Sequence, residues 1–300
     1  FAAVCGSSIA TAATMTQVAL PEMKRFNYDY SLATGSIAAG GTIGILIPPS
    51  VILVLYGILT ESNIGELFLA GFIPGILTII FFMATIAITT RIFPDSGPRG
   101  EKTTFKQKIM AFKDVWGTVI LFVLVIGGIY TGIFSPEEAA GIGASGALAL
   151  ALLARTMTWP IFLDCLMQTV RTSAMIFTIL IGAILFNNFL VLSAVPDAIG
   201  AWIGNLPFTS TVIMLIILLI YLIMGCALDS LAMILLTIPI FFPVVVNLGF
   251  DPIWFGIIVV MVVELGLITP PVGMNVFIIK GMAAEVPLSK IYKGVLPFVI

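Results

Sequence analysis

The 300-residue sequence is 60% hydrophobic and only 9% charged, with a mean hydropathy of +1.20 and a net charge of -2. Soluble domains carry about 25% charged residues, so this composition excludes a soluble fold. The sequence has no histidine, its three cysteines lack metal-ligand spacing, and its Lys and Arg residues form no basic patch outside short loops, so neither a zinc site nor nucleic-acid binding is supported.

Apolar stretches recur along the whole chain and predict an all-α, polytopic membrane protein. A closed β-barrel is disfavoured because these stretches are continuously apolar and do not alternate. A further span is predicted to begin near Ile291, and the apolar runs at both termini predict additional spans beyond each end. In chain order the predicted apolar segments are residues 1–20, 32–56, 64–92, 115–134, 139–154, 173–195, 211–225, 228–248 and 253–279.

A polar stretch over residues 93–113, containing PDSGPRGEKTTFKQK, divides the chain and is predicted to be a cytoplasmic linker. Before it, residues 1–92 hold a partial hairpin, a broken helix and a span. After it, residues 114–205 are predicted to be connecting or scaffold spans, with polar residues over 156–171 indicating an interfacial helix. Residues 206–300 hold a second hairpin, a second broken helix and the start of another span.

The distribution of Lys and Arg predicts the orientation. Six of these 13 residues lie between Arg91 and Lys113, which places that linker in the cytoplasm. Counting spans outward from the linker leaves every other Lys and Arg on the same side. The loops assigned to the outside carry acidic residues such as Glu61 and Asp197. The sequence therefore predicts one consistent multi-pass topology.

The two ends of the chain resemble each other at a fixed offset. Under the predicted topology the first copy enters from the cytoplasm and the second from outside, so the copies are predicted to be inverted repeats, as in alternating-access carriers. The alternative is a chance alignment of residues that are common in membranes. The matching pairs are Pro21 and Pro243 (243 − 21 = 222), Asp29 and Asp251, Gly44 and Gly266, and Pro48-Pro49 and Pro270-Pro271, followed at an offset of 223 by Gly71 and Gly294 and by Pro74 and Pro297.

Each repeat carries a Pro-Pro pair in the middle of a long apolar segment, in GGTIGILIPPS and in VVELGLITPPVGMN. Proline lacks the backbone N–H and clashes with the preceding turn, so the helix is predicted to be interrupted there. The preceding residues, Ile47 and Thr269, are predicted to be extended. Carbonyls freed at the break suit a sodium ion, and the new helix N-terminus suits a carboxylate. The alternative is a purely structural kink.

Each break has a companion segment that is predicted to be a re-entrant hairpin. Residues 211–225 are too short to cross the bilayer as a helix, and they lead to the tip MGCALDS before the chain continues apolar. Residues 1–15 have the same form, with the tip CGSS. Glycine permits the tight turn, and serine hydroxyls add oxygen ligands.

Two acidic residues within the apolar segments are functional candidates. Asp229 is the single ionisable residue in either tip, and its alternative role is to cap the helix that follows. Glu264 lies one to two turns before the second break, where it serves either the structure or the coupling of an ion or a proton.

At these positions the sequence resembles the large membrane subunit of TRAP transporters, the DctM-like family of the ion transporter superfamily. The resemblance rests on CGSSIATAATM, GGTIGILIPPS, LFLAGFIPGIL, MGCALDS and LGLITPPVG. It implies a sodium-coupled, elevator-type carrier in the bacterial inner membrane that imports small organic acids of the C4-dicarboxylate or sugar-acid type. It also implies a small membrane subunit (DctQ-like), a periplasmic binding protein (DctP-like), no cofactor apart from the coupling sodium ion, and no enzymatic activity.

The resemblance further implies two sodium sites where the hairpin tips meet the broken helices, with the substrate between the tips. The implied sodium-binding residues are Gly6, Ser7, Ser8, Gly44 and Pro48 for one site, and Gly225, Asp229, Gly266, Thr269 and Pro270 for the other. The implied substrate-binding residues are Ser8, Ser50, Gly273 and Asn275.

Three other functions are weighed against this one. A divalent-anion/sodium symporter of the same superfamily would use the same hairpins and breaks without a binding protein. An intramembrane enzyme is disfavoured because histidine is absent and Asp229 has no second aspartate at a comparable depth. A passive channel is disfavoured because closed tips that face each other do not form an open pore.

Overall fold

The computed structural model describes residues 2, 6–98, 104, 116–195, 198 and 207–300. Cys5 in the first tip, most of the predicted linker and the loop that holds Asp197 lie outside these residues. Every regular element within the described ranges is helical, which confirms the all-α class. The chain divides into two compact units, residues 1–99 with 185–300 and residues 100–184.

The first unit begins with four helices that match the predicted segments closely. The bounds of α4 coincide with the predicted span because Asn63 caps it, accepting hydrogen bonds from the amides of Gly65 and Glu66 at 2.9 and 3.4 Å. A 3-10 turn, Pro94–Ser96, follows α4. The helices are α1 (Ser8–Arg25), α2 (Tyr30–Leu46), α3 (Val51–Thr60) and α4 (Ile64–Ile92).

The second unit contains α5 (Trp116–Tyr130), α6 (Pro136–Leu153) and the first part of α7 (Trp159–Leu192). Helices α5 and α6 pack through a small buried apolar cluster. A capping box at Ser135 starts α6 a few residues earlier than predicted, because its hydroxyl and the Glu138 side chain each pair with the other residue's amide.

The stretch over residues 156–171, predicted to be an interfacial helix, does not form a helix separate from the predicted span that follows it, and its position at a membrane interface stays a prediction. Residues 159–171 and the following predicted span as far as Leu192 form the single 34-residue helix α7. Beyond Pro160, in its first turn, α7 contains one glycine and no further proline. Polar side chains alter the surface of a helix but leave its backbone hydrogen bonds intact, whereas an internal proline removes one.

The remaining helices of the first unit form a helical hairpin, a second broken segment and a terminal helix. They are α8 (Ser210–Gly225), α9 (Ser230–Asn247), α10 (Pro252–Gly266), α11 (Met274–Met282) and α12 (Leu288–Val299). The hydroxyl oxygens of Tyr221 on α8 and Thr237 on α9 are hydrogen-bonded at 2.8 Å, and the Tyr221 and Phe241 rings lie 5.5 Å apart. The two arms of this hairpin are therefore antiparallel. Its depth in a bilayer stays a prediction.

The predicted interruption at both Pro-Pro pairs is confirmed. Helix α2 ends at Leu46 and α3 begins at Val51, with a bend of 42° between them. Ile47 has the expected extended backbone, with φ of -93° and ψ of 121°. Helix α10 ends at Gly266 and α11 begins at Met274.

The two broken segments run antiparallel to each other. At one end the Tyr56 hydroxyl on α3 donates to the carbonyl of Pro252, the first residue of α10, at 2.6 Å. At the other end Lys290 of α12 pairs with Asp29, just before α2, at 3.2 Å. The α2/α3 pair and the α10/α11 pair thus point in opposite directions. An inverted repeat predicts this arrangement, and the repeat itself and the elevator motion stay predictions.

Three helices in the described ranges, α4, α7 and α9, are long and apolar enough to cross a membrane, and the bent α2/α3 pair makes a fourth. Helices α5, α8 and α10 are apolar but shorter. The described structure therefore agrees with a helical membrane protein that has several spans.

Candidate functional site

The second tip and the second break are in direct backbone contact. Gly225, at the end of α8, faces Gly266 so closely that a Cβ on Gly266 would lie 2.7 Å from the carbonyl carbon of Gly225. In the turn that follows, the Cys226 carbonyl accepts a hydrogen bond from the Gly273 amide at 2.8 Å. The structure therefore brings together two residues predicted for the second sodium site and one predicted for substrate binding.

Asp229 closes the second tip and caps α9. Its Oδ2 accepts hydrogen bonds from the amides of Leu231 and Ala232 at 3.1 and 3.4 Å, so the capping role is confirmed. Within the described ranges no hydrogen bond reaches its Oδ1, and the side chain is only partly buried. Capping therefore leaves one carboxylate oxygen available to a cation.

Some backbone carbonyls at the second break are paired with nearby side chains. The Thr269 hydroxyl donates to the Leu265 carbonyl, one turn earlier, at 2.6 Å. The Cys226 thiol lies 3.5 Å from the Pro270 carbonyl, which it approaches from the tip. A hydroxyl that donates one hydrogen bond keeps its lone pairs, so Thr269 can still offer oxygen to an ion.

The first tip lies against the first break in a similar way. Gly6 has a φ of +60°, and a Cβ built there would lie 3.7 Å from the Pro49 carbonyl oxygen. Gly44 on α2 packs against the backbone of Ala2, and Pro48 is buried in the break beside it. Of the residues predicted for the first sodium site, Gly6, Gly44 and Pro48 thus lie at this junction of tip and break.

The two serines predicted for the first sodium site make different hydrogen bonds. Ser7 caps α1, and its hydroxyl accepts from the Ala10 amide at 3.4 Å. Ser8 is buried, and its hydroxyl donates to Oε2 of Glu264 on α10. The first tip therefore contacts the helix that leads into the second break.

Glu264 joins the two tips. Its Oε1 accepts a hydrogen bond from Ser230, the first residue of α9, at 2.9 Å, while its Oε2 accepts from Ser8, the first residue of α1. Only 2% of Glu264 is exposed, and it is the one buried acidic residue in the described ranges. Sequence reasoning identified Glu264 as a candidate and missed Ser230, although its offset of 222 from Ser8 was a usable signal.

Asn275 and Ser8, both predicted to bind substrate, flank Gly41. A Cβ on Gly41 would lie 3.1 Å from the Ser8 carbonyl oxygen and 3.4 Å from the Asn275 amide nitrogen. Asn275 donates to the Ala38 carbonyl at 3.4 Å, whereas its own side-chain oxygen is buried without a hydrogen-bond partner among the described residues. The Thr11 hydroxyl, one turn after Ser8, is also buried and has no hydrogen-bond partner in the part of the chain that the structure describes. Buried polar atoms are normally paired, so these two oxygens fit a site that receives a ligand.

The other two predicted substrate residues have separate positions. Ser50 is buried and caps α3, where its hydroxyl accepts from the Leu53 amide at 3.3 Å. Gly273 precedes α11 with a φ of +59° and is bonded to the second tip. None of the described contacts joins Ser50 to Ser8 or Asn275.

Oxygen atoms and helix N-termini provide the polarity of this region. No Lys or Arg in the described ranges is buried, so an anion would have no buried cationic side chain to pair with there. Helices α1, α3, α9 and α11 begin at the tips and breaks, and the N-terminus of a helix carries a positive partial charge that favours anions. The carbonyl, hydroxyl and carboxylate oxygens are ligands suited to a hard cation.

Comparison with known proteins matches the whole chain to the family that its sequence motifs resemble. Residues 1–300 match the family model described as tripartite ATP-independent periplasmic transporter, DctM component. The chain is 36% identical to a C4-dicarboxylate TRAP transporter large permease protein DctM from Pseudomonas aeruginosa, with 100% of this chain and 70% of that protein aligned.

Relatives with other named substrates are almost as similar. An isethionate TRAP transporter permease protein DctMQ from Oleidesulfovibrio alaskensis is 34% identical, with 100% of this chain and 47% of that protein aligned. A sialic acid TRAP transporter large permease protein SiaM from Vibrio cholerae is 31% identical, with 100% of this chain and 70% of that protein aligned.

Proposed function

The chain belongs to the DctM component family of tripartite ATP-independent periplasmic transporters, and we propose that it uses a sodium gradient to import a small organic acid. As a TRAP transporter large permease it is a transport protein and not an enzyme. The observation that carries the proposal is the contact of each helical tip with a Pro-Pro break, which gathers backbone and side-chain oxygens at two points of the first unit.

Sodium is proposed to bind at these two junctions of tip and break. Helix interruption frees carbonyl oxygens from the helical hydrogen-bond pattern, and a buried ion replaces the partners they lose. The second junction adds the uncommitted oxygen of Asp229 and the lone pairs of Thr269. The first junction offers Ser7 and the carbonyls around Gly6 and Pro49. Both sets are oxygen-only, as a hard monovalent cation requires.

The substrate is proposed to be a small acid that binds at the helix N-termini near Ser8 and Asn275. The named substrates of the relatives, C4-dicarboxylates, isethionate and sialic acid, all carry a carboxylate or a sulfonate. With no buried Lys or Arg in the described ranges, the helix N-termini supply the positive partial charge there. The unpaired oxygens of Asn275 and Thr11 suit hydroxyl groups of a substrate.

The working transporter is proposed to have three parts in the bacterial inner membrane. The matching family consists of DctM components of tripartite transporters, and one relative is an isethionate TRAP transporter permease protein named DctMQ. We therefore expect a small DctQ-like membrane subunit and a periplasmic DctP-like binding protein that delivers the substrate. The antiparallel broken segments support inverted repeats and an elevator-type movement of the tips and breaks together.

Reconstitution tests the proposal. The complete transporter is placed in proteoliposomes, and uptake of labelled succinate, isethionate and sialic acid is measured with the cognate binding protein and an inward sodium gradient. We expect one of these acids to accumulate, and an equal potassium gradient to give no accumulation. Uptake that is unchanged by replacing sodium with potassium contradicts the coupling. Full uptake of a dicarboxylate without the binding protein identifies the alternative divalent-anion symporter.

A further inference from the structure

We propose that Glu264 is a positioning residue that couples the two hairpin tips, so that sodium bound at one tip favours sodium binding at the other. This inference rests on the proposed function, because it takes the two junctions of tip and break as the sodium sites. The observation behind it is the pair of hydrogen bonds that Ser8 and Ser230 donate to the two oxygens of one buried carboxyl group.

The two serines hold equivalent places in the repeat. Their positions differ by 222, which is the offset that relates the two Pro-Pro pairs. Each serine is the first residue of a helix and follows directly on the cap residue, Ser7 for α1 and Asp229 for α9. Because the neighbouring residue already caps the helix, the hydroxyls of Ser8 and Ser230 are free to bond elsewhere.

The residue that receives both hydroxyls occurs in only one repeat. The counterpart of Glu264 at the same offset is Thr42, whose hydroxyl donates to the Ala39 carbonyl of its own helix at 2.7 Å. The link is therefore not a consequence of symmetry. It is made once, by the second repeat, and it reaches a serine 256 residues away and another 34 residues away.

Glu264 also lies within two residues of a predicted sodium ligand, Gly266, which packs against the second tip at Gly225. A structural change at the second junction is therefore transmitted to the Glu264 carboxyl group by two routes, through the helical turn that joins it to Gly266 and through its hydrogen bond with Ser230. From there it reaches Ser8, itself a predicted ligand of the first site. Buried hydroxyls are costly to leave unpaired, so the arrangement that satisfies both serines at once is favoured over arrangements that satisfy one.

Energetic coupling requires two sites and a shared element whose arrangement each site biases. Here the shared element is the Glu264 carboxyl. An ion that orders one tip also fixes the position of the serine in that tip. That serine holds one oxygen of the Glu264 carboxyl group, and the other oxygen is then oriented towards the serine of the opposite tip. The second tip then needs less ordering when its own ion arrives.

Equilibrium binding of radioactive sodium to the complete transporter in detergent tests this coupling without a known substrate. For the wild type we expect saturable binding with a Hill coefficient above 1. Ser230→Ala removes one hydroxyl, keeps the Asp229 cap and leaves every predicted sodium ligand in place. We expect its Hill coefficient to fall towards 1 and its half-saturation concentration to rise about fivefold, at the lower end of typical allosteric coupling.

Glu264→Met is the second variant, because it keeps the length of the side chain and removes both acceptors. The double variant with Ser230→Ala should bind sodium no more weakly than Glu264→Met alone, since both changes break the same link. Thr237→Val is the matched control. It also removes a buried hydroxyl from α9, but that hydroxyl bonds within the hairpin, to Tyr221, so the Hill coefficient should stay at the wild-type value.

The possible outcomes distinguish a failure of the proposed coupling from a failure of the proposed function. Saturable sodium binding with a Hill coefficient of 1 in the wild type overturns the coupling and leaves the proposed function intact. The coupling is also overturned if Ser230→Ala behaves as the wild type or if Thr237→Val shows the same loss. A wild type with no saturable sodium binding contradicts the sodium-driven function itself.

Discussion

The two hairpin tips have the same backbone plan and different chemistry. In each, a cap residue and a serine start a helix, and small residues of the tip lie against a broken helix. The first tip has the neutral cap Ser7, whereas the second has the carboxylate Asp229. The second break likewise carries the Thr269 hydroxyl where the first has Ile47. The backbone plan that the tips share is what the predicted repeat would supply, and point differences concentrate acidic and hydroxyl oxygens at the second junction.

The largest expected effect concerns a feature common to both tips, the close contact with a broken helix. Gly266→Ala and Gly44→Ala each add a methyl group where another backbone segment already lies in contact, at Gly225 in the second tip and at Ala2 just before the first tip. Overpacking of this kind costs about 1–3 kcal/mol, and separation of tip from break should lower sodium-driven uptake by about tenfold or more.

Gly40→Ala is the control for both variants, because a Cβ at Gly40 would have no atom of the described residues within 4 Å. It adds the same methyl group to α2, and its uptake should equal that of the wild type. Proteoliposome uptake is the measurement. Wild-type uptake by both Gly44→Ala and Gly266→Ala would show that the tips do not need to touch the breaks.

The next largest effect concerns the difference in charge between the cap residues of the two tips. Asp229→Asn keeps a side chain that caps helices well but removes the charge, so sodium should bind about tenfold more weakly if a carboxylate oxygen faces the ion. Ser7→Asp makes the converse change at the first tip and should tighten sodium binding, while Ser7→Asn adds an equivalent cap without charge and should not. Half-saturation by sodium is the measurement. Equal affinities for Asp229→Asn and the wild type would assign Asp229 to capping alone.

A smaller effect is expected at the second break. Thr269→Val removes a hydroxyl with available lone pairs, and loss of one such contact costs about 1 kcal/mol, equivalent to a fivefold rise in the sodium concentration for half-maximal uptake. Thr34→Val is the control, because the Thr34 hydroxyl makes the same type of bond, to the Tyr30 carbonyl at 2.6 Å, away from the tips. An identical response of the two variants would remove Thr269 from the sodium site.

The smallest effect concerns the ion pair at one end of the predicted repeats. Asp29 and Asp251 hold equivalent positions and both cap a helix, but only Asp29 also pairs with a lysine, Lys290, among the described residues. Substitution by Asn preserves both caps, so Asp29→Asn should cost less than about 1 kcal/mol, the usual range for exposed pairs, and Asp251→Asn should change nothing.

Thermal unfolding of the detergent-solubilised protein measures this difference. High salt screens an exposed ion pair, so the gap between the Asp29 and Asp251 variants should close as salt is raised. A gap that persists at high salt would contradict the ion pair as its cause.

Much of the fold could be predicted because its signals are local. The bounds of α4 and the breaks before Val51 and Met274 follow from capping and from proline, whose effects act within one turn. The difference over residues 156–171 has a local cause too: polar side chains interrupt the apolar pattern there, but the backbone of α7 contains no break. The proposed roles at Asp229 and Thr269 come from the family resemblance and stay predictions.

The sequence by itself determined the class of the protein, its apolar segments and its two helix breaks. Composition and proline chemistry are enough for these, since neither depends on distant partners. Only the tertiary structure decided that Ser8 and Ser230 share the carboxyl group of Glu264. Hydrogen-bond partners separated by 256 residues are chosen by how helices pack, and no local pattern records that choice.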